Sequence, residues 1–237
     1  MRTEAFWSTY ASHYDAIWDS PLIDALRAEI HGELAGATRI LDLGCGTGLL
    51  ARRPSATEAG PGSGTSPRHD SSDPFWIGAD VSASMLEHAR ARGRIDEALQ
   101  ADASRVPIVA GSVDAVVMAN LLQFHPNPAA VVSEALRVVR PGGVVVATWP
   151  VDGLTPAMVW GAERRSGRRL ASRLQARARR LWISALASGI ADLGVEQQRD
   201  AETTRSLMTV AQAAEAAVTD LGVWRTVQRL VIVRAAA

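Results

Sequence analysis

Three glycines close a tight turn in Arg39–Gly48, RILDLGCGTG, where Gly44, Gly46 and Gly48 follow an apolar run ending in Asp42-Leu43. Glycines there let the backbone take positive φ and approach a ligand without Cβ atoms in the way. The N-terminus of a helix beginning near Gly48 would add free N–H groups and partial positive charge. A dinucleotide fingerprint places its third glycine three residues after the second, where Leu49 stands. A Walker loop needs lysine, and all 25 basic residues are arginine. Three later apolar runs bring further polar groups to strand ends. Asp80 closes IGAD and could accept from both hydroxyls of a ribose. Asp102 could accept from an exocyclic amine, and Asn120 reaches the same edge after the fourth strand. Helix capping explains any one of these residues. It explains poorly a set of four on successive strands.

Positioning such groups requires strands that share one edge. Short apolar runs at Arg39–Leu43, Phe75–Ala79, Val113–Ala119 and Val144–Trp149 are poor in charge, as strands covered on both faces are. Helical stretches such as Ala83–Arg92 and Ala129–Val139 lie between them. This alternation predicts an α/β, doubly wound, mostly parallel sheet. Residues 1–36 read as cap helices, with Leu22, Leu26, Ile30 and Leu34 at helical spacing after Ser20-Pro21. Residues 37–150 form the core, and 151–237 a helical cover with terminal strands. Within the cover, Val210–Leu221 reads as a helix and Thr226–Arg234 as the last strand. Residues 54–74, rich in Pro, Gly and Ser, read as a flexible insertion.

Composition narrows the chemistry. With no lysine, Schiff-base and pyridoxal-lysine mechanisms are excluded, and arginine stays protonated near neutral pH. The 25 acidic residues balance the 25 arginines, which argues against general nucleic-acid or membrane-surface binding. A single cysteine, Cys45, rules out an intramolecular disulfide and a cysteine-based metal cluster, and no spacing calls for a metal. Without a secretion pattern or an apolar run long enough to span a bilayer, a cytoplasmic location is expected.

From about Phe6 to Trp149 the chain resembles the class I S-adenosylmethionine-dependent methyltransferases, especially their small-molecule branch. ILDLGCGTG resembles the family's first motif, GADVSASMLEHAR the segment after its second strand, and LQADASRVP its adenine-side motif. VDAVVMANLL through ALRVVRPGG resembles the region from the fourth strand to the turn before the fifth. WSTYASHYDAIW resembles the N-terminal helix that closes over the cofactor. The resemblance implies a Rossmann-like sheet of seven strands, the last antiparallel, with a helical cap and S-adenosyl-L-methionine as cofactor. It places Gly44, Cys45 and Gly46 against the methionine part, with Asp42 fixing that loop and the ammonium group. It gives the ribose to Asp80, the adenine ring to Val81 and Met85, and the adenine amine to Asp102, with Ala103 adding its backbone N–H. Asn120 falls near the reacting centre, and Tyr14 covers the methionine end. The chain departs from the pattern at Asp80, which follows Gly48 by more than the usual spacing of about 20 residues. The 54–74 insertion accounts for the excess.

Methyl transfer is an in-line displacement that positioning accelerates. Where the acceptor must lose a proton, the base comes from His, Asp, Glu or Tyr. Of five histidines, His31, His69 and His88 fall away from the strand ends, which leaves His13 and His125 as catalytic candidates. Arg165, Arg169, Arg173 and Arg177 form a stripe on a predicted helix, 163–182, that reads as an anion-attracting lid or a solvated cover face. Trp7, Trp18, Trp149 and Trp160 read as an aromatic pocket or as core. The expected acceptor is a small molecule, anionic or aromatic, with an O, N or C nucleophile. An RNA methyltransferase and a cofactor-binding module that transfers nothing remain as alternatives.

Overall fold

The computed structural model describes Ala11, Tyr14, Asp15, Trp18 and residues 20–51, 73–165, 200–225 and 227–236. Among these, the chain runs α1 (Pro21–Glu33), β1 (Arg39–Leu43), β2 (Phe75–Asp80), α2 (Ala83–Ala91), β3 (Glu97–Gln100) and β4 (Val113–Ala119). After a short 3-10 turn, Leu122–Phe124, come α3 (Pro128–Val138), β5 (Val139–Pro150), α4 (Pro156–Arg165), α5 (Asp200–Ala213), β6 (Ala217–Trp224) and β7 (Gln228–Arg234). The helix starts follow from local chemistry. The Ser20 side chain accepts from Ile23 N ahead of Pro21, Ser82 caps α2 at Met85 N, and Asn127 caps α3 at Ala130 N ahead of Pro128.

The seven strands form one sheet in the order β3-β2-β1-β4-β5-β7-β6. Neighbours from β3 through β5 are parallel, and β7 runs antiparallel to both β5 and β6. The strand order reverses between β1 and β4, so the loops after those two strands diverge and leave a crevice at the carboxyl edge. Alternate residues serve two cores. Leu41, Leu43, Val116, Met118, Val145 and Ala147 pack with α3 and α5, whereas Ile40, Val117, Val144 and Val146 pack with α1 and α2. The sheet is therefore covered on both faces, as the charge-poor runs predicted.

Two expectations are corrected. Among the described residues 44–51 no helix begins: the segment is irregular, with turns and bends, and Gly48 itself has φ +74°, outside the helical region. The predicted helix Val210–Leu221 is split: α5 ends at Ala213, Glu215 turns left-handed at φ 55°, and residues 217–224 become β6. The reason is tertiary, since the outer side of β7 needs a hydrogen-bonding partner and Val218 pairs with Val233 there. The insertion 54–74, apart from Asp73 and Pro74, lies outside the described residues, as does all of the arginine-striped helix beyond Arg165.

Candidate functional site at the carboxyl edge

β1 and β2 run side by side, with Leu43 opposite Ala79, so the glycine turn emerges next to the end of β2. The Ala79 carbonyl accepts from both Gly44 N (2.8 Å) and Cys45 N (3.1 Å), which folds the turn back over β2. Gly44 has φ +68°, and a Cβ there would fall 2.8 Å from Leu121 Cδ1. A side chain at Gly44 would thus drive the turn away from the loop after β4. Cys45 points into the core and is 8% exposed. Burial and the nearby carboxylates push its thiol well up, so it is no nucleophile, and only its backbone can face a ligand.

Asp80 braces this turn. Its Oδ2 accepts from Gly46 N and its Oδ1 from Ser82 N, each at 2.9 Å. Burial raises its pKa against these hydrogen bonds. Asp42 lies behind the turn, fully buried, and its Oδ2 has no hydrogen-bond partner. Burial first, then the charge of Asp80, pushes Asp42 up to about 8. A buried carboxyl oxygen left without a donor is costly unless something outside the chain completes it. A ligand bearing an ammonium group supplies what is missing at Asp42, and a vicinal diol fits the remaining acceptor capacity of Asp80.

The other predicted residues divide. The Tyr14 ring lies over the turn, its Cζ 3.8 Å from where a Gly46 Cβ would stand. Val81 is exposed at 41%, Met85 is buried at the start of α2, and Ala103 is buried after β3. Asn120 takes φ 54°, and its N–H reaches Thr148 O at 2.8 Å, which ties the ends of β4 and β5 together. Asp102 is the exposed member of the set. Its Oδ1 accepts from Ser104 N, Ser104 Oγ and His125 Nε2, and the Ser104 hydroxyl leads in lowering its pKa. His125 Nε2 lies 3.1 Å from Asp102, and Nδ1 lies 3.1 Å from Asn127 N and 2.9 Å from Asn127 O. Both ring nitrogens are taken, so His125 braces the loop after β3 against the N-cap of α3. His13 lies outside the described residues. Trp149 is core at 0% exposure, its Nε1 donating to Asp200 Oδ1 at 2.7 Å, so it lines no open pocket. Trp18 stacks at a tilt on Tyr14, with ring centroids 6.5 Å apart.

Residues 41–147 match the family described as "Methyltransferase domain", and that segment contains the glycine turn and all four polar strand ends. That match agrees with the resemblance of residues 41–147 to the class I S-adenosylmethionine-dependent methyltransferases. It is 32% identical over 184 residues to a malonyl-[acyl-carrier protein] O-methyltransferase of Alcanivorax borkumensis, covering 76% of this chain and 58% of that protein. To the demethylmenaquinone methyltransferase of Lactococcus lactis it is 33% identical over 156 residues, covering 61% and 57%. The chain thus spans little more than half the length of these curated relatives. Among solved structures, a methyltransferase of Thermotoga maritima described as a possible histamine N-methyltransferase superposes with TM-score 0.56 at 15% identity, covering 98% of both chains. That likeness shows the shared fold.

Sequence reading missed Asp15, Thr47 and Arg94. Thr47 Oγ1 donates to Asp15 Oδ1, while Arg94 Nη2 meets Asp15 Oδ2 at 2.8 Å and Arg94 Nη1 donates to Thr47 O at 2.8 Å. The available signals were the hydroxyl within the glycine turn and the Asp next to Tyr14. It also missed Thr148 and Gln228. Five buried side-chain oxygens among the described residues lack a partner: Asp42 Oδ2, Gln123 Oε1, Thr148 Oγ1, Thr203 Oγ1 and Gln228 Oε1. All sit at or beside the carboxyl edge, since β7 is antiparallel and starts there, and α5 is tied to the end of β5 through Trp149 and Asp200. Among the described residues no cluster of His, Cys, Asp and Glu could hold a metal ion, and no helix is long and apolar enough to cross a membrane.

Proposed function

We propose that the protein transfers the methyl group of S-adenosylmethionine to a small-molecule O, N or C nucleophile. The observation that carries this reading is the unpartnered, buried Oδ2 of Asp42 behind a glycine turn that Asp80 braces from the next strand. Gly44 and Gly46 would accept the methionine part against bare backbone, and Asp42 would take its ammonium. Asp80 would hold the ribose hydroxyls, with Met85 and Val81 beside the adenine, Ala103 N–H and Asp102 at its edge, and Tyr14 over the methionine end. When bound, the cofactor supplies an electrophilic methyl on a cationic sulfur. The chain's own part is to align an acceptor with that methyl and keep water away.

The acceptor side is read from β5, β7 and α4. Thr148 and Gln228 lie on the sheet face that carries Leu230, because Thr148 pairs with Leu230 and Pro150 with Gln228. Beside them, Leu22, Val159, Ala162 and Val227 form an apolar cluster with Met158 and Trp224 packed on it. An apolar wall with two unmatched oxygens suits an acceptor that is mostly hydrocarbon and carries one or two hydrogen-bonding groups. Demethylmenaquinone, named for one relative, is an acceptor of this mostly hydrocarbon kind. Since both nitrogens of His125 are engaged, we assign it a bracing role and no proton transfer. Titration calorimetry with S-adenosylhomocysteine tests the cofactor half, and absence of binding overturns it. Incubating the chain with cofactor labelled on the methyl and a pool of metabolites tests transfer. A labelled small molecule is expected. Binding without any labelled product would instead establish the non-transferring module.

A further inference from the structure

Asp15 joins three stretches of chain far apart in sequence. One carboxylate oxygen accepts from the Thr47 hydroxyl in the glycine turn, and the other meets Arg94 Nη2 (2.8 Å) and Arg92 Nε (3.0 Å) after α2. Arg94 is only 7% exposed and also donates to the Thr47 carbonyl (2.8 Å). Its Cβ lies 3.1 Å from where a Gly48 Cβ would stand, so this cation is wedged beneath the turn. A guanidinium so placed needs a counter-ion. Among the described residues that counter-ion is Asp15, the neighbour of the Tyr14 whose ring covers Gly46.

We propose that Asp15, Thr47 and Arg94 form a clasp that holds Tyr14 over the glycine turn and thereby sets how long the cofactor stays bound. The inference rests on the reading of that turn as the cofactor site. The three are positioning residues, because their contacts run to one another and to the turn backbone. The clasp is built so that one carboxylate serves both the turn and the cation under it. Tyr14 therefore leaves Gly46 only if the hydroxyl contact and the ion pair break together. Association of the cofactor depends less on the clasp than its escape does, so the effect belongs in the dissociation rate.

Stopped-flow tryptophan fluorescence of S-adenosylhomocysteine release tests this, together with hydrogen exchange at Tyr14 and Trp18. Asp15→Asn is expected to release the ligand about tenfold faster, equivalent to about 1.4 kcal/mol, and to raise exchange at both residues. Thr47→Ala, a small change that keeps the ion pair, is expected to speed release about threefold, and Thr47→Ser to restore the wild-type rate. If Asp15→Asn fails to fold, the two Thr47 variants carry the test. Unchanged release from both Asp15→Asn and Thr47→Ala, with the ligand still binding, overturns the clasp alone. No binding to the wild-type chain overturns the cofactor reading and the clasp with it.

Discussion

At the amino edge of the sheet, Asp114 accepts through Oδ2 from Thr38 N, Thr38 Oγ1 and Arg39 N, and through Oδ1 from Arg140 Nε, all at 2.7–2.9 Å. It ties the starts of β1, β4 and β5 together, and these hydrogen bonds outweigh partial burial to hold its pKa well below the usual carboxylate range. At the carboxyl edge of the same strands, Asp42 is buried with one oxygen unmatched and its pKa pushed up to about 8. The two residues have the same side chain, and their settings have opposite energetic signs. Where a carboxylate serves only the fold, the chain surrounds it with donors. At Asp42 the chain leaves a donor out, a cost that the proposed ligand would offset.

The largest effect expected from this contrast is at Asp80. Asp80→Ala should weaken S-adenosylhomocysteine binding by about 2–4 kcal/mol, since two charge-assisted hydrogen bonds to the ribose are lost. Calorimetry showing unchanged affinity would remove Asp80 from the site. Next comes Asp114→Ala, expected to cost about 2 kcal/mol of stability by leaving N–H groups unmatched at the amino edge. Its urea midpoint should fall while cofactor affinity stays the same, and a change in affinity instead would erase the distinction between the edges.

Asp42 sharpens the comparison through pH. With its pKa raised in the fold, the native state holds a proton that the unfolded chain has released between pH 4 and about 8. Stability is therefore greatest below the unfolded pKa and declines as pH rises through the folded one, by at most about 1.4 kcal/mol per pH unit. An ammonium beside Asp42 favours its ionised form, so ligand affinity should increase with pH up to about 8 and then level off. Asp42→Asn should flatten both profiles. A wild-type melting temperature that rises from pH 5 to pH 8, a profile Asp42→Asn leaves unaltered, would refute the raised pKa. The smallest effect is assigned to His125: His125→Asn should lower turnover less than about tenfold and leave the pH profile of kcat unshifted. A loss of a hundredfold or more with a displaced pH profile would make His125 the base.

The residues that were legible in the sequence share a local cause. The glycine turn announces itself because three glycines within five positions are needed only where backbone must bend and stay bare. Asp80 was identifiable across the long insertion because its strand is an uncharged apolar run ending in the acid. Arg94, Thr148 and Gln228 gave no such signal. Each matters through a partner, or the lack of one, and that depends on which distant stretches the topology brings together. β6 was misread for the same reason. Its sequence, AVTDLGVW, suits a helix or an edge strand, and pairing with β7 decided between them.

Sequence alone determined the doubly wound alternation and picked out Asp42, Gly44, Gly46 and Asp80 as the proposed carboxyl-edge site, because periodicity and turn chemistry act over a few residues. Tertiary structure decided that Asp42 is buried with its Oδ2 unpartnered while Asp102 is exposed and hydrogen-bonded. It also decided that both ring nitrogens of His125 have partners and that Asp15 reaches the glycine turn. Burial and charge pairing are set by everything that packs around a side chain, and no local pattern encodes that environment.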